Sequence, residues 1–305
     1  MCGISGILNL NERGMDFPTE REINRMTEAL KHRGPDSAGI FIDGRIALGT
    51  ARLAIIDLSP EANQPMVIGN GDYVVVFNGE IYNYLELRKE LEREGILFFS
   101  QSDTEVALRL FIKKGIFCLS DLRAMFAFAI WRKSDQSLFL ARDRIGEKPL
   151  VYFHHNGIFA FGSEIKALLT LSQISREIDP IGLHHGLRYV TTPAPYSAFK
   201  HIHKLRPASY MIVSQKGITT ERYWGGAFST IDLIKDPHDC AQELKRCLDE
   251  PVKIMCRSDV PSGATDSAGL DSGVIAATMA KEIPSLDTFC ISYQMDGPDK
   301  EFEAA

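Results

Sequence analysis

The sequence predicts an α+β fold over residues 1–225, a layered sandwich of strands and helices, followed by the start of an α/β domain over residues 226–305. Three observations carry that prediction. Short strand-like runs succeed one another over the first 225 residues, with two helical patterns set between them. A change of composition after Trp224 opens a helix, a Ser/Gly-rich turn, a second helix and a strand, which reads as the beginning of a βαβ unit. The length of 305 residues and the 45% hydrophobic content suffice for two domains with a sizeable core.

Taken in order, the chain begins Met-Cys-Gly-Ile-Ser-Gly and runs into an apolar stretch that reads as an entering strand. Residues 39–43 and 46–53 read as strands joined at Asp43-Gly44, a hairpin signal. Residues 72–77 form a continuous apolar strand, and Asn78-Gly79 reads as a tight turn that ends it. Residues 83–94 and 104–114 have the apolar spacing of amphipathic helices. Strands are expected at 124–131, 138–141, 150–153 and 158–161. The segment 191–224, rich in Pro and aromatics, reads as ordered loop and strand closing the first domain. Residues 236–254 read as a helix. The remaining stretch is too short for the several strands of a parallel sheet, so it is expected to be the opening of a larger domain.

A net charge of −6 without a Lys/Arg stripe argues against nucleic-acid and anionic-membrane partners. No apolar run approaches the roughly 18–20 residues that span a bilayer, and the amino terminus lacks a basic signal-peptide region. A cytoplasmic protein is therefore expected. Cys2, Cys118, Cys240, Cys247, Cys256 and Cys290 include no C-x-x-C pair, so free thiols and no metal site are expected.

Cys2 is the sharpest chemical feature. A residue as small as cysteine in second place permits removal of Met1, which would leave a thiol and an α-amine on one carbon. The amine titrates near pH 7.7–8.0 and the thiol near 8.5, so the amine can take its neighbour's proton. By itself M-C-G serves equally well as a small residue on a strand. Other residues have to decide.

Those residues are His32-Arg-Gly-Pro-Asp-Ser37, Arg52-Leu-Ala-Ile-Ile-Asp-Leu-Ser59, Asn63-Gln-Pro-Met66, Phe77-Asn-Gly-Glu-Ile-Tyr-Asn83, Ser102-Asp-Thr-Glu105, Met125-Phe-Ala-Phe-Ala-Ile-Trp131, Ala141-Arg-Asp-Arg-Ile-Gly146 and Phe161-Gly-Ser-Glu-Ile-Lys-Ala-Leu168. With the M-C-G-I start, and in this order, they closely resemble the glutaminase domain of glutamine-hydrolysing asparagine synthetases, the class II glutamine amidotransferases. The resemblance implies an N-terminal-nucleophile αββα sandwich. It implies that Cys2 attacks the side-chain amide of glutamine, forms a thioester and releases ammonia. Asn78 and the Gly79 N–H match the oxyanion donors, with glycine at 79 permitting a positive φ and close backbone approach. Arg52 matches the partner of the α-carboxylate, and Asp103, assisted by Glu80, that of the α-ammonium. The segment from Arg33 to Asp36 is expected to be a rigid loop near the nucleophile, with Pro35 fixing φ and Asp36 capping. Thr50 stands where relatives usually have His, and Ala38 where they usually have Ser; neither is a nucleophile or oxyanion donor, so glutaminase competence is expected to survive.

Ser267-Ala-Gly-Leu-Asp-Ser272 resembles the S-G-G-x-D-S pyrophosphate loop of ATP pyrophosphatases, which makes Ser267, Gly269, Asp271 and Ser272 candidates for binding ATP. Ala268 replaces a glycine there, and Asp266 is awkward for a buried parallel strand. ATP and Mg²⁺ are implied for the complete family enzyme, and no cofactor for the glutaminase half. The acceptor is a carboxylate, aspartate by default. The family's adenine- and aspartate-site motifs are expected beyond Ala305, so this chain alone is not expected to complete an ATP-dependent amidation. Partners in view are glutamine, the acceptor, and a separate synthetase chain or a second copy. Two alternatives stay open: a glutaminase subunit or amidotransferase for another acceptor, and a non-catalytic binding or regulatory protein derived from the family.

Overall fold

A computed structural model describes residues 1–11, 19–225 and 236–291. The expected domain junction at 225–226 and residues 300–303 of the C-terminal segment fall wholly or partly outside that range. The chain divides into two compact units, Met1–Gly226 and Ala227–Ala305.

The first unit runs β1 (Gly3–Asn9), α1 (Glu20–Glu28), β2 (Ser37–Asp43), β3 (Ile46–Arg52), β4 (Met66–Ile68), β5 (Tyr73–Ile81), α2 (Tyr84–Arg93), α3 (Asp103–Lys114), α4 (Cys118–Asp121), β6 (Ala124–Arg132), β7 (Ser137–Arg142), β8 (Val151–His155), β9 (Ile158–Gly162), α5 (Ile165–Leu168), α6 (Pro180–Tyr189), β10 (Ile202–Lys204), β11 (Ser209–Ser214) and β12 (Gly217–Arg222). Two six-stranded sheets result, in the orders β10-β8-β9-β1-β3-β2 and β12-β11-β7-β6-β5-β4. Every neighbouring pair is antiparallel.

Three apolar clusters separate four layers. Between the sheets, Ile4, Leu8 and Phe161 of one meet Val74, Val76 and Trp131 of the other. The outer face of the first sheet, with Ile7 and Ala47, is covered by Ile23 and Met26 of α1 and Leu168 of α5. The outer face of the second, with Phe77 and Phe128, is covered by Leu91 of α2 and Val106 of α3. This is the αββα sandwich. Because both faces of each sheet are covered, β1 and β3 are buried at all seven positions and carry no polar alternation.

The two amphipathic helices expected at 83–94 and 104–114 appear as α2 and α3, within a residue of their expected bounds. Four further helices, α1, α4, α5 and α6, lie where no helix was expected. The turn expected at Asn78-Gly79 does not exist. β5 continues through both residues to Ile81, pairing Asn78 with Ala127 and Gly79 with Phe126. The φ of Gly79 is not in the left-handed region. Close approach is what requires glycine there: a Cβ would lie 2.1 Å from the Met125 carbonyl oxygen.

The second unit runs α7 (Pro237–Met255), β13 (Gly263–Thr265), α8 (Leu270–Glu282) and β14 (Asp287–Phe289). β13 and β14 pair in parallel with α8 between them in sequence, the expected βαβ connection. Asp266 lies just past β13, so it is not a buried strand residue as expected.

Candidate active site

Cys2 precedes β1, in the interior of the first sheet, and its surroundings hold it on both sides. The Cys2 carbonyl accepts from Arg33 Nε at 3.1 Å, and the thiol donates weakly to the Leu53 carbonyl at 3.6 Å. Two residues on, the Ile4 N–H donates to Ser163 Oγ at 3.0 Å. Arg33 is itself fixed by Glu164 at 2.8 Å. The loop expected near the nucleophile is therefore there, but Asp36 does not cap its own turn: its Oδ2 accepts from the N–H of Ala54, at the far side of β3. Burial pushes the thiol pKa up, while Arg52 and the terminal amine pull the other way.

A cavity of about 100 Å³ opens at this thiol and is lined by Cys2, Arg52, Asn78, Gly79, Glu80 and Asp103, the six candidates of the first unit. Its volume is well below the ~300–1,000 Å³ of sites for drug-sized ligands, which suits a ligand the size of an amino acid. Asn78 is 0% exposed, and neither its Oδ1 nor its Nδ2 has a hydrogen-bond partner among the described residues. An amide left so costs about 1–3 kcal/mol, and it is aimed into the same cavity as the thiol.

Asp103 opens α3, where Ser102 caps the helix by accepting from the Thr104 N–H. Its Oδ2 accepts from the Ile81 N–H at 2.9 Å, which ties helix to strand. Burial, with a contribution from the nearby Glu80 charge, raises its pKa to about 6. Burial also raises that of Glu80, against the pull of Lys148 and the terminal amine. A cationic ligand group would lower both pKa values by favouring the ionised carboxylates. Arg52, at the end of β3, is 5% exposed. Its Nη1 donates to Asn63 Oδ1 at 3.0 Å, and its Nη2 donates to the carbonyls of Ile56 and Asp57. It thus holds the roof of the cavity as well as facing into it.

Two lining residues escaped the sequence reading. Gln64 accepts from the Phe77 N–H at 2.7 Å and donates to Thr104 Oγ1 at 3.3 Å, bracing β5 against α3. It lay in a quoted motif, Asn63-Gln-Pro-Met66, without being given a role. Lys148 lies two residues beyond the quoted Ala141–Gly146 run, and nothing in the local pattern marked it.

In the second unit, Ser267 and Ser272 are brought together, Oγ to Oγ at 3.2 Å. The Ser267 N–H donates to Ser272 Oγ, and the Ala268 N–H donates to Asp266 Oδ1 at 2.9 Å. Ala268 has φ +58°, the region where glycine is at ease, so the replaced glycine left its backbone shape behind. The Asp266 carboxylate and the serine hydroxyl thus take two amides that a phosphate would need, and Asp271 adds a negative charge in the first turn of α8. As they stand, these residues do not make a phosphate cradle.

The glutamine amidotransferase domain family matches residues 1–224. The chain belongs to that family. Residues 243–305 match the asparagine synthase family. Across 298 residues the chain is 37% identical to asparagine synthetase [glutamine-hydrolyzing] 1 of Bacillus subtilis (strain 168), covering 97% of this chain and 46% of the relative. Putative asparagine synthetase [glutamine-hydrolyzing] 2 of Methanocaldococcus jannaschii is 36% identical, covering 96% and 60%. The chain spans about half the length of the curated relatives it matches. Among solved structures, glutamine phosphoribosylpyrophosphate amidotransferase from B. subtilis, complexed with ADP and GMP, superposes with a TM-score of 0.54 at 20% identity. It covers 99% of this chain and 70% of that one, a likeness of fold. No helix among the described residues is long and apolar enough to cross a membrane.

Proposed function

We propose that the first unit of this amidotransferase hydrolyses glutamine to glutamate and ammonia through a thioester on Cys2, once Met1 has been removed. The observation that supports it most is the orphaned Asn78 amide facing the thiol cavity. Attack of the thiolate on the glutamine amide places negative charge on the amide oxygen. Asn78 Nδ2 and the Gly79 N–H are donors without cost of reorganisation for that oxyanion. Arg52 takes the α-carboxylate as a charge-assisted partner, and Asp103 with Glu80 takes the α-ammonium. The α-amine of Cys2 accepts the thiol proton and returns it to the departing ammonia.

The ammonia is intended for a carboxylate activated by a synthetase domain, with aspartate the default acceptor and the cytoplasm the expected site. ATP and Mg²⁺ belong to that complete enzyme class. No step through them is assigned to the described residues, because the Ser267–Ser272 loop offers its amides to Asp266 and Ser272 instead. The non-catalytic reading has no observation in its favour: nucleophile, oxyanion donors and charged partners line one cavity.

The test is to incubate the protein with a diazoketone analogue of glutamine and read intact and peptide masses. The expected result is a protein lacking Met1, labelled once on Cys2, with labelling blocked by glutamine. Retained Met1, or label spread over the other five thiols, would overturn the reading.

A further inference from the structure

The loop between β7 and β8 is built around one carboxylate. Asp143 is 1% exposed, and its Oδ1 accepts from the backbone N–H groups of Ile145 (3.2 Å), Gly146 (2.6 Å) and Glu147 (2.9 Å). Its Oδ2 accepts from those of Lys148 (3.0 Å) and Phe126 (3.2 Å). Arg142 closes the same loop from the other side, donating to the carbonyls of Gly146 and Lys148 at 2.7 Å each. Five amides gathered on one side chain leave the loop little backbone freedom. Its product is a fixed direction for Lys148, which is 5% exposed and lines the Cys2 cavity.

A lysine buried that far is rare without a paired carboxylate. Lys148 has none within ion-pair distance among the described residues, and its Nζ donates to Met1 Sδ at 2.8 Å. Thioether sulfur is a weak acceptor, and processing takes it away. The charges that face the amino terminus come from three elements: Lys148 from this loop, Glu80 from β5, and Arg33 from the loop after α1, with the Cys2 thiol beside them. Arg52 from β3 and Asp103 from α3 face the thiol itself. Arg33 is neutralised at contact by Glu164, whereas Lys148 has no ion pair at contact among the described residues; burial lowers its pKa, and the charges of Glu147, Glu80 and Asp143 act against that from a distance.

We propose that Lys148 is a positioning residue for the proton transfer at Cys2: its buried ammonium, aimed into the cavity by the Asp143 loop, keeps the α-amine of the processed chain open to the thiol proton. This rests on the reading of Cys2 as an N-terminal nucleophile. The proton passes from Sγ to the amine lone pair. The sulfur pair then forms the C–S bond to the glutamine Cδ, while the carbonyl π pair moves onto the oxygen facing Asn78. In the unprocessed chain the Met1 amine, one residue ahead, is lowered by burial, with Arg33 and Lys148 adding to it against the Cys2 thiol and Glu80. The motif from Ala141 to Gly146 thereby acquires a purpose: it aims a cation.

The experiment measures kcat for glutamine hydrolysis against pH, at saturating glutamine, for the whole chain and its K148M and K148R variants, with loss of Met1 checked by mass. Saturation keeps Asp103 out of the profile, because bound ammonium holds it ionised. K148M is expected to move the acidic limb up by about 0.5–1 pH unit, a fall of ~3–10-fold at neutral pH that recovers above the limb. K148R keeps the wild-type limb. A rate lowered equally at every pH, or a limb that K148R moves as far as K148M does, would overturn the proposal. Should K148M fail to fold, K148Q is read instead: it removes the same charge from a polar side chain and must move the limb up, and an unmoved limb has the same overturning force. Failure of the underlying reading is separately visible, since a wild-type protein that keeps Met1 or releases no glutamate removes both.

Discussion

In Met1–Gly226, Trp131, Phe159 and Phe161 are no more than 2% exposed and lie between two six-stranded sheets. Among the described residues of the second unit, Leu270 is 82% and Phe289 62% exposed, and the strands are a single pair of three residues each. Two packed sheets with helices on both outer faces saturate their own apolar surface. A two-stranded ribbon is marginal on its own. The contrast bears on chemistry as well as stability. Asn78 can stay unpartnered and Asp103 can hold a raised pKa because the core around them bears the cost, about 1–3 kcal/mol for the amide. In the described residues of the second unit, the polar groups of the loop at 266–272 satisfy one another instead.

If that contrast is sound, substitutions in the first unit separate activity from stability. C2S should lower glutamine hydrolysis by at least ~10³-fold while leaving thermal unfolding unchanged, as read by an ammonia-release assay beside calorimetry. Phe161→Ala, which empties the layer between the sheets, should cost about 3–5 kcal/mol in the first unit. Hydrogen exchange of the α7 and α8 amides should not respond to it. Protection lost in both units together would break the comparison, because they would then unfold as one. N78A should lower kcat by about 10²–10³-fold with KM little changed, since the amide acts on the oxyanion.

The smallest effect concerns pH. The pKa of Asp103 is about 6 in the folded protein against an ordinary 3.8, so its carboxyl holds a proton more tightly folded than unfolded. The sign follows: this group favours the folded state below about pH 4, and that contribution is lost as pH rises through 6. Substrate binding runs the other way, because only the ionised carboxylate pairs with ammonium. KM for glutamine should rise about tenfold between pH 7 and pH 5, and D103N should flatten the profile. A pH-independent KM in the unaltered protein would show that Asp103 does not hold the ammonium.

Local periodicity made α2, α3 and the strands β1–β3 and β5–β9 legible in the sequence, whereas β4 and β10, three residues each, are too short to show a period. Asn78-Gly79 was misread because N-G is among the strongest turn signals, while the demand for glycine came from the carbonyl of Met125 on the neighbouring strand, far along the chain from Gly79. The helix α1 buries Ile23 and Met26 on one face, but its polar majority hid it. Arg52, Asp103 and Glu80 looked like solvated charges until the ordered motifs promoted them. Lys148 had no such signal at all: its direction is set by five backbone hydrogen bonds to a residue whose role was invisible in one dimension.

The hold that Arg33 and Ser163 place on the first residues has a practical side. A purification handle, leader or fusion partner left on the amino end would put an amide nitrogen where the proposed mechanism requires a free amine, next to residues held by Arg33 and Ser163. Preparations made that way would fold normally and look dead. Handles belong at the opposite terminus, and the specific activity of a batch becomes a measure of how completely the expression host's aminopeptidase has trimmed it.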